Sequence, residues 1–477
     1  MDTSASNSHP RASSAPNVLW ICTDQQRWDT IASLGNDAIR TPNIDRIVRS
    51  GVAFEKAFCQ SPICTPSRSS FLTGRYASSI RACSNGNDRW AEAAPLVTQL
   101  MADGGYRCGL AGKLHLAGCR SRVEPRPKDD GYAEFHWSHS HRDLWPEGHA
   151  YADWVREKGG DLGSLYQANG YLSPELHQTT FCADKAIEFM DRKWDRPWLM
   201  SVNFFDPHLP FDPPPEYRDR YDAESLPPPA FRDSDLAAQE RLAEVDFQYP
   251  ARPPEAFDAM DKTAAYYAMI EQVDAHVGRM LDCLERTGQR DNTLVIFMSD
   301  HGEMLGDHGL IAKGCRFYEG LVRVPLTLSW PGVIEEGRRS NALVELVDVA
   351  PTLLDYAGLE IPEAMAGRSL RPLLEGGADR HRDAVRCEYY SALSLLAPGR
   401  EHWNGSYGTM IRTERYKLVA YHGTGLGELF DLEADPDEFD NLWDHPEHAE
   451  IRLKLISRMM DQSALIVDHG TGVTQVF

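Results

Sequence analysis

The stretch "NTLVIFMSDHGE", residues 292–303, runs five consecutive apolar side chains, Leu294 to Met298, straight into Ser299, Asp300 and His301. An apolar run without alternation reads as a strand buried on both faces, the situation in a parallel sheet covered by helices. Three other segments share the form. "NVLWICTDQQ" (17–26) ends at Asp24, "YRCGLAGKLH" (106–115) ends around Lys113 and His115, and "PWLMSVNFFDPH" (197–208) ends at His208. Between Thr263 and Thr287, Tyr266, Met269, Ile270, Val273, Val277, Met280, Leu281 and Leu284 recur at helical spacing, and Gly288 stops the run. This is a crossover helix feeding the strand that ends at Asp300. The fold class expected is α/β, a large, mostly parallel central sheet flanked by helices. In such sheets ligands bind outside the carboxyl ends of the strands. One polar strand end is an ordinary surface feature; four of them suggest one shared site.

From about Asp383 the pattern changes to short alternating strands, a Gly-rich turn and an acidic loop, then a helix around Glu447 to Met460. A small C-terminal antiparallel sheet with a helix is expected there. The organisation read from the chain is a disordered tail (1–15), a catalytic domain (16–380) and a small α+β subdomain (381–477). Residues 120–161 are rich in Trp, His, Arg and Asp and poor in aliphatics. They read as a long ordered loop that is a candidate wall of a substrate pocket, together with Trp403 and Tyr407.

The 477 residues carry 49 Lys and Arg against 71 Asp and Glu, a net charge of −22. That excess argues against nucleic acid or an anionic membrane as partner, and means that an anionic substrate needs a local basic pocket. No stretch is long and apolar enough to span a membrane, and the polar, Ser-rich start has no signal-like apolar core. Ten scattered cysteines without a CxxC pair read as reduced thiols in a cytoplasmic protein. Oligomeric state is not legible, and a homo-oligomer is compatible with the sequence.

The strand ends offer a metal-ligand set. Asp24, Gln25, Asp300 and His301 are oxygen-rich donors suited to a hard divalent ion, Ca²⁺, Mg²⁺ or Mn²⁺, the imidazole tilting the set toward Mn²⁺. The alternative is a carboxylate pair that binds nothing. Arg68, Lys113 and Lys313 lie near these elements; each alone is a solvated cation, and together they read as an anion clamp. A helix starting near Thr65 and Pro66 and stopping at Gly74 adds its positive N-terminus. His115 and His208, at two strand ends, are the general acid–base candidates.

Cys64, in "CTPSRSSFLTGR" (64–75), has several readings. It is a buried apolar residue, a disulfide partner of Cys59 or Cys83, a zinc ligand, or a thiolate nucleophile activated by the helix N-terminus and Arg68. A soft thiolate beside an oxygen-rich, hard-cation site is chemically mismatched. The mismatch suggests that the cysteine does not remain a cysteine.

Cys64-Thr65-Pro66-Ser67-Arg68 followed by Leu72-Thr73-Gly74-Arg75 resembles the signature of the type I sulfatases, members of the alkaline phosphatase superfamily. The resemblance extends through "PNVLWICTDQQR", "TPNIDRIVRSGVAFEKAF", "GYRCGLAGKLHL", "SVNFFDPHLPF", "SDHGEMLGDHGL", "RVPLTLSWPG" and "VDVAPTLLDYAG". It implies that a maturation enzyme oxidises Cys64 to Cα-formylglycine, whose hydrate is the nucleophile. It further implies one divalent metal, Ca²⁺ first, held by Asp24, Gln25, Asp300, His301 and the formylglycine. Arg68 and Lys113 are implied to hold the modified side chain and the sulfate, Lys313 and His208 to contact the ester oxygen and leaving group, and Asn85 to bind a sulfate oxygen. The implied reaction is double displacement. One hydroxyl of the hydrate attacks sulfur, the alcohol leaves with a proton from His208, and deprotonation of the second hydroxyl by His115 releases sulfate. Many sulfatases have two successive aspartates after the first strand and an Asp-Asn pair in the later segment. Here these read Asp24-Gln25 and Asp300-His301, which is more similar to the choline-sulfatase and phosphonate monoester hydrolase branch. The expected substrate is a small sulfated molecule, a carbohydrate or simple alcohol ester. The alternatives are a phosphonate monoester or phosphodiester hydrolase using the same site, and a catalytically silent anion-binding protein.

Overall fold

The computed structural model describes residues 15–119, 122–140, 149–393 and 405–467. In chain order its strands are β1 (Asn17–Thr23), β2 (Val52–Phe54), β3 (Ala57–Phe58), β4 (Arg107–Gly112), β5 (Tyr132–Trp137), β6 (Trp198–Asn203), β7 (Thr293–Ser299), β8 (Leu326–Ser329), β9 (Arg338–Ser340), β10 (Val344–Glu345), β11 (Val385–Tyr390), β12 (Tyr407–Arg412), β13 (Tyr416–Tyr421) and β14 (Gly427–Asp431). The main sheet has the order β5-β4-β6-β1-β7-β8-β2-β9. From β5 to β7 every pair is parallel, whereas β8 runs antiparallel to both β7 and β2. The four strands expected from their apolar runs are thus adjacent and co-directional. Their polar ends meet along one edge.

Alternation is missing from these strands because both faces are covered. Val18, Trp20 and Cys22 of β1 enter one core with Leu294, Ile296 and Met298 of β7. Leu19 and Ile21 enter the other with Val295 and Phe297. Burial of each such side chain contributes roughly 1.5–3 kcal/mol. The second face is covered by the helices Gln178–Met190 and Ala259–Arg286, through residues such as Phe181, Phe189, Val277 and Leu284. The crossover helix begins four residues before the expected start, because Ala259 is already buried. Gly288 follows its end at φ 68°, in the left-handed conformation that favours glycine. The first face is covered by Cys64–Thr73 and Val349–Ala357.

Strands β11 to β14 form a separate antiparallel sheet in sequential order. The helix Ala449–Leu465 packs on it through Leu455 and Met459 against Ile411, Leu418 and Leu429. This is the expected small antiparallel sheet with its helix. The expected tail lies outside the described residues apart from Ala15.

One expectation is corrected. Residues 120–161 are not one long loop, since they contain β5, the edge strand of the main sheet, and the helix Ala150–Glu157. As an edge strand, β5 buries only its two ends fully, Tyr132 and Trp137, so it carries no continuous apolar signal. The helix buries Tyr151, Ala152, Trp154 and Val155 within only eight residues. Trp403 lies outside the described residues, and Tyr407, at the start of β12, is 44 % exposed. Among the described residues no helix is long and apolar enough to cross a membrane. All ten cysteines are free, so Cys64 pairs with neither Cys59 nor Cys83.

Candidate active site

The helix Cys64–Thr73 is buried along its whole length and starts at Cys64, one residue ahead of the expected Thr65. Pro66 sits within the first turn, where its missing N–H has no intrahelical partner to lose. The amide of Thr65 is capped from a distance, donating to Asn85 Oδ1 at 2.9 Å. Asn85 is held in turn by its own amide, which donates to the Ala392 carbonyl at 2.8 Å. Gly74 closes the helix at φ 67°. This places Cys64, at the helix mouth, against the strand edge.

Around the Cys64 sulfur, Lys313 Nζ lies at 2.9 Å, His301 Nε2 at 3.2 Å and Asp24 Oδ1 at 3.6 Å. Burial raises the Cys64 pKa, but Lys113, Lys313 and His301 outweigh it and hold the thiol well below its usual range. The two aspartates are tied to cations. Lys113 Nζ donates to Asp24 Oδ2, and Arg68 donates through Nε to Asp300 Oδ2 at 2.9 Å and through an η nitrogen to Asp24 Oδ2 at 3.5 Å. Arg68 also donates to the Lys113 carbonyl at 3.0 Å, joining the helix to the end of β4. Against the burial that raises its pKa, Lys113 helps to hold the Asp24 carboxyl below the ordinary carboxylate range. At the end of β4 a side chain is excluded. Gly112 stands at φ 105°, and a Cβ there would lie 1.9 Å from the Asn203 carbonyl oxygen on β6. That approach seats Lys113 beside Asp24.

The donor set fits a hard divalent cation. Ligand atoms of Asp24, Cys64, Asp300 and His301 all lie within 4.8 Å of one another. His301 Nδ1–H donates to the Gly302 carbonyl at 2.8 Å, so Nε2 keeps its lone pair for the centre. Gln25, in the left-handed conformation at φ 70°, has a buried Oε1 without a hydrogen-bond partner. An orphaned carbonyl oxygen beside two carboxylates is what an oxygen-coordinated cation needs. Asp24, Cys64, Asp300 and His301 are placed so that they could hold such an ion, and the Gln25 oxygen is a further candidate ligand.

Sequence reasoning missed the groups that hold these ligands. Fully buried Glu303 accepts from Gln25 Nε2 and from the amides of Leu305 and Ala312. It lies in the quoted "SDHGE" stretch, but nothing local marks it as a partner of Gln25. Ser67 Oγ donates to the Asp300 carbonyl at 2.5 Å. Glu124 accepts the amides of His115, Leu116 and Ala117 and the Trp137 indole N–H. No pattern in the sequence announces it.

The two histidines flank the centre. His208 Nδ1–H donates to the Leu209 carbonyl at 2.6 Å, and its Nε2 accepts from Lys313 Nζ at 3.0 Å. Burial and Lys313 lower its pKa. His115 stands at φ 58°, and burial with Lys113 pushes its pKa down to about 3. Phe205 lies between the strand ends, 4.7 Å from the His208 ring and 5.4 Å below Lys113 Nζ.

Known proteins are similar to this chain over most of its length. The family model described as Sulfatase matches residues 16–359. The chain belongs to the sulfatase family. A second model, described as N-sulphoglucosamine sulphohydrolase, C-terminal, matches residues 306–464 of the sulfatase. The sulfatase is 31 % identical over 463 residues to an arylsulfatase of Clostridium perfringens, covering 91 % of this chain and 92 % of that protein. It is 31 % identical over 451 residues to a choline-sulfatase of Rhizobium meliloti, covering 90 % and 83 %. The crystal structure of a phosphonate monoester hydrolase of Agrobacterium radiobacter superposes with a TM-score of 0.79 at 28 % identity, covering 95 % of this chain and 96 % of that one. The sulfatase is a sulfuric ester hydrolase, which converts a sulfate ester to an alcohol and inorganic sulfate.

Proposed function

We propose that the sulfatase acts through a formylglycine made from Cys64 by a maturation enzyme, on a sulfate ester of a carbohydrate or small alcohol. The observation that carries this reading is the buried contact shell of position 64, with Lys313 at 2.9 Å, His301 at 3.2 Å and Asp24 at 3.6 Å. A thiolate is a poor match for these hard-ion ligands, whereas a hydrated aldehyde presents oxygen to them. The bound ion is Ca²⁺, ahead of Mg²⁺ and Mn²⁺, held by Asp24, Gln25, Asp300, His301 and residue 64. Such a cation contributes several kcal/mol of charge stabilisation as a Lewis acid.

The protein's own groups do the rest. Arg68 and Lys113 hold the aspartates and set positive charge beside residue 64, and Asn85 at the helix mouth faces a sulfate oxygen. Lys313 donates into His208 Nε2, and this pair hands the departing alcohol its proton, a contribution typically of about 10²–10⁴-fold. His115, neutral at working pH because burial and Lys113 depress it, accepts the proton from residue 64 that lets sulfate leave. The free state of all ten cysteines supports a reducing, cytoplasmic setting.

The likeness to a phosphonate monoester hydrolase, with the Asp24-Gln25 and Asp300-His301 pairs, favours phosphonate monoester or phosphodiester cleavage as a side reaction of the same site. Peptide mass spectrometry of residue 64 tests the nucleophile, with conversion of the thiol to the aldehyde expected in protein from a maturation-competent host. Comparing aryl sulfate with aryl phosphonate esters then ranks the two reactions. Full sulfatase turnover with an unmodified Cys64 would overturn the reading.

A further inference from the structure

A second cluster of metal-ligating side chains adjoins the reaction centre. Ligand atoms of His115, Cys119 and His139 lie within 4.8 Å of one another, and none of these residues except His115 enters the reaction described above. Two imidazoles and a thiol are a borderline-soft set, the opposite of the oxygen-rich set at Asp24 and Asp300, and they match Zn²⁺. Donor atoms on a tetrahedral zinc lie about 3.5 Å apart. The cluster therefore closes on an ion with side-chain movement of about an ångström.

The backbone holds the three residues in place. The Glu124 carboxylate accepts the amides of His115 at 2.7 Å and Ala117 at 2.9 Å, and the indole N–H of Trp137 at 3.1 Å. One buried carboxylate thus joins the turn carrying His115 to the end of β5, two residues before His139. On the other side the Gly118 amide donates to the Asn87 carbonyl at 2.6 Å, next to Cys119. His115 and Cys119 are 8 % and 6 % exposed, and the His115 and His139 rings meet edge to face at 5.0 Å.

His115 also shows a vacant donor. Its Nδ1 is buried without a hydrogen-bond partner. We propose that His115, Cys119 and His139 form an inhibitory Zn²⁺ site, distinct from the catalytic cation site, in which His115 Nδ1 is a ligand. A neutral imidazole that coordinates through Nδ1 carries its proton on Nε2. It can then no longer accept a proton from residue 64, and turnover stops while zinc is bound. The inhibitory part rests on the role given to His115 under the proposed function; the metal site itself does not.

Two measurements test this. In the Cys64→Ala background, Co²⁺ is the probe. Occupancy of the cluster gives a thiolate-to-cobalt charge-transfer band, which the oxygen-rich site cannot give. The band is expected to disappear in Cys64→Ala/Cys119→Ser, a readout that needs no turnover and survives failure of the sulfatase mechanism. In matured enzyme loaded with its catalytic cation, Zn²⁺ is expected to inhibit. In Cys119→Ser the basal rate stays unchanged and the apparent Zn²⁺ affinity falls at least about 10-fold, since loss even of an outer-shell partner costs that much. If Cys119→Ser does not fold, His139→Asn carries the same loss of zinc affinity and of the cobalt band. A band that persists without Cys119 overturns the site. Equal zinc inhibition of wild type and Cys119→Ser overturns its inhibitory role and assigns the effect to the catalytic cation site.

Discussion

Gln25 donates its side-chain Nε2 to the carboxylate of Glu303, 278 residues further along the chain, and its Oε1 is left buried and unpartnered. The carboxylate fixes which end of the Gln25 amide it binds, and so leaves Oε1 as the end free to meet a cation. Glu303 in turn is held by the amides of Leu305 and Ala312. Glu303→Ala frees the Gln25 side chain to rotate, and metal affinity is expected to fall about 10–100-fold. Titration of metal-stripped protein measures this without turnover. An unchanged dissociation constant would show that Gln25 is held by other means or is not a ligand.

Position 64 separates chemistry from packing. Cys64→Ala and Cys64→Ser leave the apolar contacts of the Cys64–Thr73 helix in place, so thermal unfolding should shift little. Multiple-turnover hydrolysis of an aryl sulfate should fall to background in both. A serine has a single hydroxyl and cannot release sulfate as the hydrated aldehyde does. Near-normal steady-state turnover in either variant is incompatible with a formylglycine nucleophile.

Glu124 is a positioning residue, removed from the sulfate. Glu124→Ala leaves three buried amides and an indole N–H without an acceptor. The expected cost is on the order of 3 kcal/mol in denaturant unfolding, with a fall in kcat from a displaced His115. Glu124→Gln keeps an acceptor for one pair of these donors but turns an N–H toward the other pair, so it should recover only part of the stability. If alanine and glutamine behave alike, the carboxylate does not organise this turn.

His276 offers a pH test away from the catalytic centre. It sits on the helix Ala259–Arg286, where Arg279 donates into Nδ1 at 3.0 Å and Thr180 Oγ1 lies 3.0 Å from Nε2. Burial first, then Arg279, push its pKa from 6.5 down to about 4. The unfolded chain therefore binds the proton more readily. The stability contributed is fully present above pH 6.5 and is lost as pH falls through about 4. The loss amounts to at most about 3 kcal/mol. His276→Gln should flatten the unfolding free energy across that window, and an unchanged acid slope would remove His276 as its source.

Much of the fold was legible because its cause is local. Leu294–Met298 and Leu19–Ile21 have no polar alternation, which only strands covered on both faces permit. The abrupt polar ends at Asp24, Lys113 and Asp300 marked where β1, β4 and β7 stop, whereas β6 stops at Asn203, five residues before His208. The edge strand β5 was not legible, because half-buried residues with one neighbouring strand leave no continuous apolar run. The same holds for the helix Ala150–Glu157, whose buried face spans barely two turns.

The amino-acid sequence by itself determined which residue types could do chemistry here and that they belong at carboxyl ends of parallel strands. Those properties follow from side-chain identity and short-range periodicity. Only the tertiary structure decided that Glu303 orients Gln25, that Glu124 joins the His115 turn to β5, and that His139 and Cys119 converge on His115. Contacts between residues far apart in the chain depend on sheet order and loop closure. Neither is written in the residues on either side of the contact.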